Sequence, residues 1–207
     1  QAILGHIKAG IEEAQKDSES LLIFSGGQTR PATGPLSEGG SYFQVADAMK
    51  LWPDGSTVRA RTVAEEFATD SFENLLFSVC RFREITGRYP TKITVVSFTF
   101  KQTRFETMHA AALRWPTDKF YFVGVDPDAT TGFDLAESTK GELENAAQPF
   151  TNDPFGCNSQ VLQEKRQGRN PFHRTAPYKL SCPEIKPLLE YCGPEPFPEE
   201  QLPWASM

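Results

Sequence analysis

A three-layer α/β fold with a mostly parallel sheet is predicted by three features of the sequence. Short apolar or β-branched runs at Leu21–Phe24, Ile93–Phe98 and Phe120–Val125 are each bounded by turn-forming residues or a helix start, as expected of strands buried on both faces. Longer stretches with apolar residues at helical spacing lie between them, so strand and helix alternate and the sheet reads as parallel with helices on both faces. The chain has 207 residues, 39% hydrophobic and 23% charged, enough for one full-sized core.

From Gln1 to Gln15, Ile3, Ile7 and Ile11 recur at helical spacing with Glu12 and Glu13 opposite, an amphipathic helix. Asp17–Ser20 turns it into the strand Leu21–Phe24, so the chain opens on half of a βαβ unit that lacks its first strand. Ser25-Gly26-Gly27 then breaks the strand, Pro31–Pro35 is a loop, and Ser37 caps a helix reaching about Trp52 with Tyr42, Val45, Ala46 and Met49 inward. A short strand is expected over Arg61–Glu65. Asp70 and Glu73 have capping-box form, and Phe72, Leu75, Leu76, Val79 and Phe82 give the following helix its apolar stripe, ending near Gly87. Ile93–Phe98 reads as a central strand. Thr99 and Gln102 again suggest a capping box, with Phe105, Met108, Ala112 and Trp115 inward, and Asp126-Pro127-Asp128 closes the strand Phe120–Val125. From about residue 149 the texture changes: ten of the sixteen prolines lie between Pro149 and Pro203, and only Pro183–Tyr191 looks helical. An extended arm is expected there, packed by Phe150, Phe155, Phe172, Tyr178 and Trp204, with disorder as the alternative. The expected division is therefore a domain over residues 1–148 and an arm over 149–207.

The formal net charge of −6 and the absence of a Lys/Arg block argue against a dedicated nucleic-acid binder. No run is long enough to span a bilayer and the first residues lack the basic and apolar regions of a signal peptide, so the expectation is a soluble, cytoplasmic protein, or one whose targeting information lies outside this sequence. Cys80, Cys157, Cys182 and Cys192 lack CxxC spacing, and no metal site is expected. Free thiols are the default, and a Cys182–Cys192 bridge stays open.

Three strand ends carry the residues with chemistry. At the first, Ser25, Gly26 and Gly27 give a turn with close backbone approach, and Thr29 and Arg30 follow. At the second, Glu65, Glu66, Thr69, Asp70, Ser71 and Asn74 gather; Asp70 and Ser71 have a purely structural role available as caps, whereas Glu66 suits a ribose contact, a metal or general-base work. At the third, Ser97 and Thr99 precede Lys101 and Arg104, cations at a helix start where the dipole disfavours them unless an anion is near. The bland alternative is that both cations face water or pair with carboxylates. His6, His109 and His173 show no ligand spacing, and His109 reads as packed or surface. Nucleophile-elbow, Walker and G-x-G-x-x-G patterns are absent.

Taken together, LIFSGGQTR, SEGGSY (Ser37–Tyr42), EEFATDSFENLLFS (Glu65–Ser78) and ITVVSFTFKQTRFETMHAAAL (Ile93–Leu113) resemble the DUF218 (YdcF/SanA/ElyC-like) domain family, its eukaryotic, largely fungal branch in particular. The resemblance spans Leu21–Asp126, and the proline-rich tail is similar to that of fungal members. The family pattern falls on Ser25, Gly26 and Gly27, on Ser37 and Glu38, on Glu66, Asp70, Glu73 and Asn74, and on Ser97, Thr99 and Arg104. Bacterial relatives usually carry a His where this chain has Phe100 or Lys101, and the family has an upstream strand with a glycine-containing loop, after which this sequence starts. The resemblance implies a Rossmann-like fold with a pocket at the C-terminal strand edge, and for some bacterial members S-adenosylmethionine or another nucleotide-like ligand.

The leading expectation is a small-molecule site in which Arg30 and Arg104 clamp an anion, the Gly26 and Gly27 amides solvate it, and Glu66 is the orienter or base. A phosphorylated metabolite, a nucleotide or S-adenosylmethionine is the expected ligand class, with transferase or hydrolase chemistry if the protein is an enzyme. Two alternatives stand beside it: a non-catalytic binding or scaffold protein, and a metal-dependent phosphohydrolase using Glu38, Glu66 and Asp70.

Overall fold

The first helix forms where the sequence places it, with Ile7 and Ile11 buried and Ile3 left 38% exposed at its start. The structure is a computed structural model that describes residues 2–127 and 134–205. Gln1 and Asp128, the ends of the predicted first helix and of the turn after Val125, lie outside those residues. In order the chain forms α1 (Ala2–Gln15), β1 (Leu22–Ser25), α2 (Glu38–Ala48), β2 (Thr62–Glu65), α3 (Ser71–Thr86) and β3 (Ile93–Ser97). A 3-10 turn at Thr99–Lys101 and a π-helical stretch at Arg104–His109 lead into α4 (Ala110–Ala112), followed by β4 (Phe120–Gly124). The C-terminal part contains α5 (Leu135–Glu142), a π-helical turn, α6 (Gln148–Asn152), α7 (Gln160–Gly168), α8 (Tyr178–Ser181) and α9 (Lys186–Leu189).

The fold is mixed α/β, and its strands pair in parallel as expected. They form two separate pairs: β1 lies beside β2 with Leu22 opposite Thr62, and β3 lies beside β4 with Ile93 opposite Phe120. Where the sequence predicts a central strand at Ile93–Phe98, β3 has one neighbour among the described residues, and Ile93, Val95 and Val96 are only half-buried. The helices sort into two groups. Ile7, Ile11 and Ala14 of α1 pack with Phe24, Ala46 of α2 and Val58 in one core. Phe72, Leu75, Leu76 and Val79 of α3 pack with Phe105, Leu113 and Trp115 in another, which the C-terminal part completes.

The inward face of α2 differs from the predicted one. A Cβ on Gly39 would lie 2.4 Å from the Phe24 carbonyl oxygen and 2.6 Å from that of Glu65, so α2 meets the strands backbone to backbone at this glycine. That contact turns Gly39 and Ala46 inward and leaves Val45 and Met49 on the outside, 38% and 51% exposed. The helix also ends at Ala48 rather than Trp52. In α3, by contrast, Phe72, Leu75, Leu76 and Val79 of the predicted stripe are buried and Phe82 is half-buried; Asp70 Oδ1 accepts from the Glu73 amide at 2.9 Å, and Glu73 Oε2 accepts from the Thr69 amide at 2.8 Å.

Thr99 does not cap a helix. Its amide donates to Asp126 Oδ1 at 2.9 Å and its side chain packs on Gly124, so the loop after β4 takes the role that a capping side chain would have had. The arm carries helical segments rather than one extended run, and Pro183 and Pro187 occupy first-turn positions, where the missing N–H has no helical partner to lose. Helical backbone runs without interruption from Leu135 to Asn152, across the expected boundary at 148 and 149. Phe150, Phe155, Tyr178 and Trp204 are buried against α3 and α4, while Phe172 is 39% exposed.

The disulfide joins Cys157 to Cys192, closing the arm on itself over a separation of 35 residues. This corrects both the free-thiol default for those two residues and the Cys182–Cys192 alternative. Cys182 is instead a buried free thiol, as is Cys80. No helix among the described residues is long and apolar enough to cross a membrane.

Candidate functional site

Between β1 and β3 the structure leaves a cavity of about 590 Å³, walled by α1 on one side and α3 on the other. At the C-terminal end of the strands, Ser25, Glu38, Asn74, Ser97 and Lys101 line it together with Tyr42. These five were expected at a common site from three strand ends. Gly26, Gly27, Thr29, Arg30, Ser37, Glu66, Thr69, Asp70, Thr99 and Arg104 are not among its lining residues.

The reasons are local. The amides of Gly26 and Gly27 donate to the carbonyls of Glu65 (3.0 Å) and Ala68 (2.8 Å), so neither is available to solvate an anion. A Cβ on Gly27 would lie 2.8 Å from the Ala68 oxygen, which is why the turn needs glycine there. Thr29 Oγ1 donates to Glu38 Oε1, which fixes one carboxylate oxygen. Arg30 points into solvent at the head of a 3-10 turn. Ser37 Oγ donates to Glu66 Oε1 at 2.5 Å and accepts from the Gly40 amide at 3.0 Å. Glu66 is thereby tied to the start of α2. Asp70, 1% exposed, caps α3 and pairs through Oδ2 with Arg166 Nε at 2.6 Å.

Arg104 is the largest departure from the expected clamp. It is 4% exposed, with Nε 2.5 Å from Glu142 Oε1, Nη2 donating to Glu142 Oε2 at 2.8 Å and Nη1 donating to Ser71 Oγ. A guanidinium so held is a structural ion pair, and Arg30 and Arg104 do not form a clamp. His109 lies beside it, fully buried among Phe72, Phe105 and Phe150, with Nε2 2.8 Å from Ser71 Oγ. Burial and the neighbouring Arg104 charge hold its pKa well below the ordinary value. This is the packed histidine that the sequence suggested.

Two groups of residues take parts that the sequence did not assign to them. The first centres on Glu65, the neighbour of the residue favoured from sequence. Glu65 is fully buried and accepts from Ser25 Oγ (2.7 Å), the Phe67 amide (2.8 Å), the Ala68 amide (3.3 Å) and Tyr178 Oη (3.0 Å). Burial raises its pKa and these hydrogen bonds oppose the rise. Adjacent carboxylates on a strand point to opposite faces, and only packing decides which is inward. The sequence signal available was that pairing alone.

The second group is cationic. Lys165 on α7 and Arg169 just after it bring their charges within range of Lys101 and Arg104. Lys101 lies over the Phe98 and Phe100 rings, 5.1 and 5.9 Å from their centroids. Its pKa is lowered to about 8, first by burial and then by Arg104. Lys165 is also lowered to about 8, by burial and then by Arg169. Of these four cations only Arg104 has an ion-pair partner among the described residues. The signal in the sequence was Lys165, Arg166 and Arg169 within five residues of the arm, dense for a segment read as packing material.

The arm also seals the second strand end. Arg166 holds Asp70, Arg169 donates to the Thr69 carbonyl at 3.2 Å, and Arg174 donates to the Glu66 carbonyl at 3.0 Å while its guanidinium sits 4.1 Å from the Phe67 ring centre. Among the described residues no group of three His, Cys, Asp or Glu side chains converges as a metal site.

No protein-family model matches this chain, and no solved structure matches it. A curated relative is similar to it: the uncharacterized protein YOR238W of Saccharomyces cerevisiae (strain ATCC 204508 / S288c) is 29% identical over 218 residues, a match that covers 85% of this chain and 71% of the yeast protein.

Proposed function

We propose that this chain is a Rossmann-like three-layer domain related to the DUF218 family, and that it binds an anionic or nucleotide-like small molecule at the C-terminal mouth between β1 and β3. One observation carries this reading. Ser25 and Ser97 at two strand ends, with Asn74 of α3, Glu38 and Lys101, line one cavity, and Lys101 feels the charges of Lys165 and Arg169, neither of which has an ion-pair partner among the described residues. Lysines crowded by other cations favour an anion, because each added negative charge relieves repulsion as well as adding attraction. Ser25, Asn74 and Ser97 supply neutral polar groups for orientation, which suits a phosphorylated metabolite, a nucleotide or S-adenosylmethionine.

If the site is catalytic, Glu38 takes the role of base expected of Glu66, because Glu38 lines the mouth. Transferase or hydrolase chemistry on a phosphorylated or adenosyl group is then the reaction class. Binding without catalysis is favoured by a different observation: the Gly26 and Gly27 amides, Asp70 and Arg104 are all committed to internal bonds.

Isothermal titration of the protein with ATP, AMP, S-adenosylmethionine and inorganic phosphate tests the reading. At least one is expected to bind, and Lys101→Ala is expected to weaken it tenfold or more without lowering the melting temperature of the free protein. Absence of binding by all four, or binding indifferent to Lys101→Ala, would remove the support for this site.

A further inference from the structure

Lys101, Lys165 and Arg169 come from two distant parts of the chain and converge on one buried ion pair. Arg104, three residues beyond Lys101, reaches Ser71 at the start of α3 and Glu142 at the end of α5. Arg169 donates to the Thr69 carbonyl at 3.2 Å, two residues before Ser71. Lys165 Nζ donates at 3.2 Å to the carbonyl of Asn145, one turn after Glu142. The three cations are thereby fixed around the Arg104–Glu142 pair, Lys101 from the end of β3 and the other two from the arm.

Their charges are not compensated there. The carboxylates that reach the two lysines are Glu142 and Asp70, and each is already held, by Arg104 at 2.5 Å and by Arg166 at 2.6 Å. With those pairs set aside, three positive charges remain at one rim of a chain whose formal net charge is −6. Burial and the neighbouring cations bring both lysines down to about 8, so the crowding has an electrostatic cost in the free protein.

We propose that Lys101, Lys165 and Arg169 together seat the phosphate of a phosphomonoester, a dianion, so that the arm supplies part of the binding site. This rests on the reading of the mouth as an anion site and narrows its ligand class. Lys101 belongs to both parts. It lines the cavity, so a phosphate at the rim leaves its organic group beside Ser25, Asn74 and Ser97. The charge selects the ligand. A dianion offsets two of the three cations, whereas a sulfate ester or a phosphodiester offsets one. S-adenosylmethionine, with two positive groups and one carboxylate, adds to the repulsion. Arg169 uses Nη1 on Thr69 and retains further donors for a phosphate oxygen, while the lysines act as point charges.

Isothermal titration at about pH 7.5 with phenyl phosphate, phenyl sulfate and S-adenosylmethionine tests the assignment; the two esters share a shape and differ by one charge, since the second phosphate pKa is about 6. Phenyl phosphate is expected to bind at least tenfold more tightly than phenyl sulfate, with S-adenosylmethionine weakest. Lys165→Gln and Arg169→Gln, which keep a polar side chain and remove the charge, should each weaken phenyl phosphate fivefold or more. Arg169→Lys, which keeps the charge, should restore most of that loss, an outcome that separates charge from packing. Binding indifferent to both glutamine variants overturns the role of the arm, and if Lys101→Ala still weakens it the mouth remains an anion site. Equal affinity for the two esters overturns the dianion, as does S-adenosylmethionine binding more tightly than phenyl phosphate. Failure of all three ligands, and of ATP and AMP with them, removes the anion site at the mouth as well.

Discussion

Replacing Glu65 by Ala removes the acceptor on which β1, the start of α3 and the arm all converge. Four donors lose their partner: Ser25 Oγ, Tyr178 Oη and the amides of Phe67 and Ala68. Each buried donor left unsatisfied costs about 1–3 kcal/mol. Ser25 Oγ retains Asn74 Oδ1 at 3.0 Å, and the Ala68 amide bond is the longest of the four, so the effects do not add fully. A loss of roughly 3–6 kcal/mol is expected, a large part of the ~5–15 kcal/mol by which such domains are stable. Glu65→Gln keeps the shape and one carbonyl oxygen, and its cost should be about 1–3 kcal/mol. Urea unfolding followed by the fluorescence of Trp115 and Trp204, both in the core, measures these losses. The pH dependence gives a second readout. Burial raises the Glu65 pKa above its ordinary 4.5, so the folded state holds this proton more tightly than the unfolded chain. The associated stabilisation is complete below pH 4.5 and is lost as pH rises through the higher folded-state value. Glu65→Gln should lack that falling limb. A Glu65→Ala protein within 1 kcal/mol of the original would refute the account of Glu65 as a saturated structural acceptor.

Three further outcomes follow from the geometry. Lys101→Met should stabilise the ligand-free protein at pH 7 by roughly 1–2 kcal/mol, allowing for solvent screening of a partly exposed group. Because the folded-state pKa is about 8 against 10.5 unfolded, the penalty it removes is full below pH 8 and fades toward pH 10.5, and thermal melts across that range check it. Cys192→Ser opens a loop spanning 35 positions, and chain entropy alone puts its cost at about 4 kcal/mol; calorimetry on the variant should show a lower melting temperature, and an unchanged one would mean that the arm is held by its aromatic core alone. Gly39→Ala forces a methyl group into the backbone oxygens of Phe24 and Glu65 and should cost about 3 kcal/mol or more, measured by urea unfolding, whereas Gly55→Ala, with no atom near its Cβ position, should cost less.

The strands were legible because their signal is local. Leu22–Ser25, Thr62–Glu65, Ile93–Ser97 and Phe120–Gly124 each fall within a residue or so of the runs that predict them. The stripe of α3 and its capping box were equally plain, since periodicity and the Asp70–Glu73 spacing are properties of one segment. The face of α2 was not, because Gly39 has no side chain to register in a hydrophobic pattern and acts through what it lets come near. Arg104 illustrates the same limit at the site. Its position after a strand suggested a ligand contact, and its partner Glu142 lies 38 residues away in a helix that gave no local reason to expect an ion pair.

By itself the sequence determined the alternation of strand and helix, the parallel pairing of the strands and the strand ends whose side chains meet in one cavity. Those features depend on short-range propensity, on periodicity and on a connection rule that holds for any chain of this pattern. The tertiary structure alone decided which of two adjacent carboxylates is buried, which cysteines pair, and that the arm brings Lys165 and Arg169 to Lys101 while sealing the strand end at Asp70. The physical reason is that burial, ion pairing and charge crowding depend on distances between residues far apart in the chain, and only packing sets those distances.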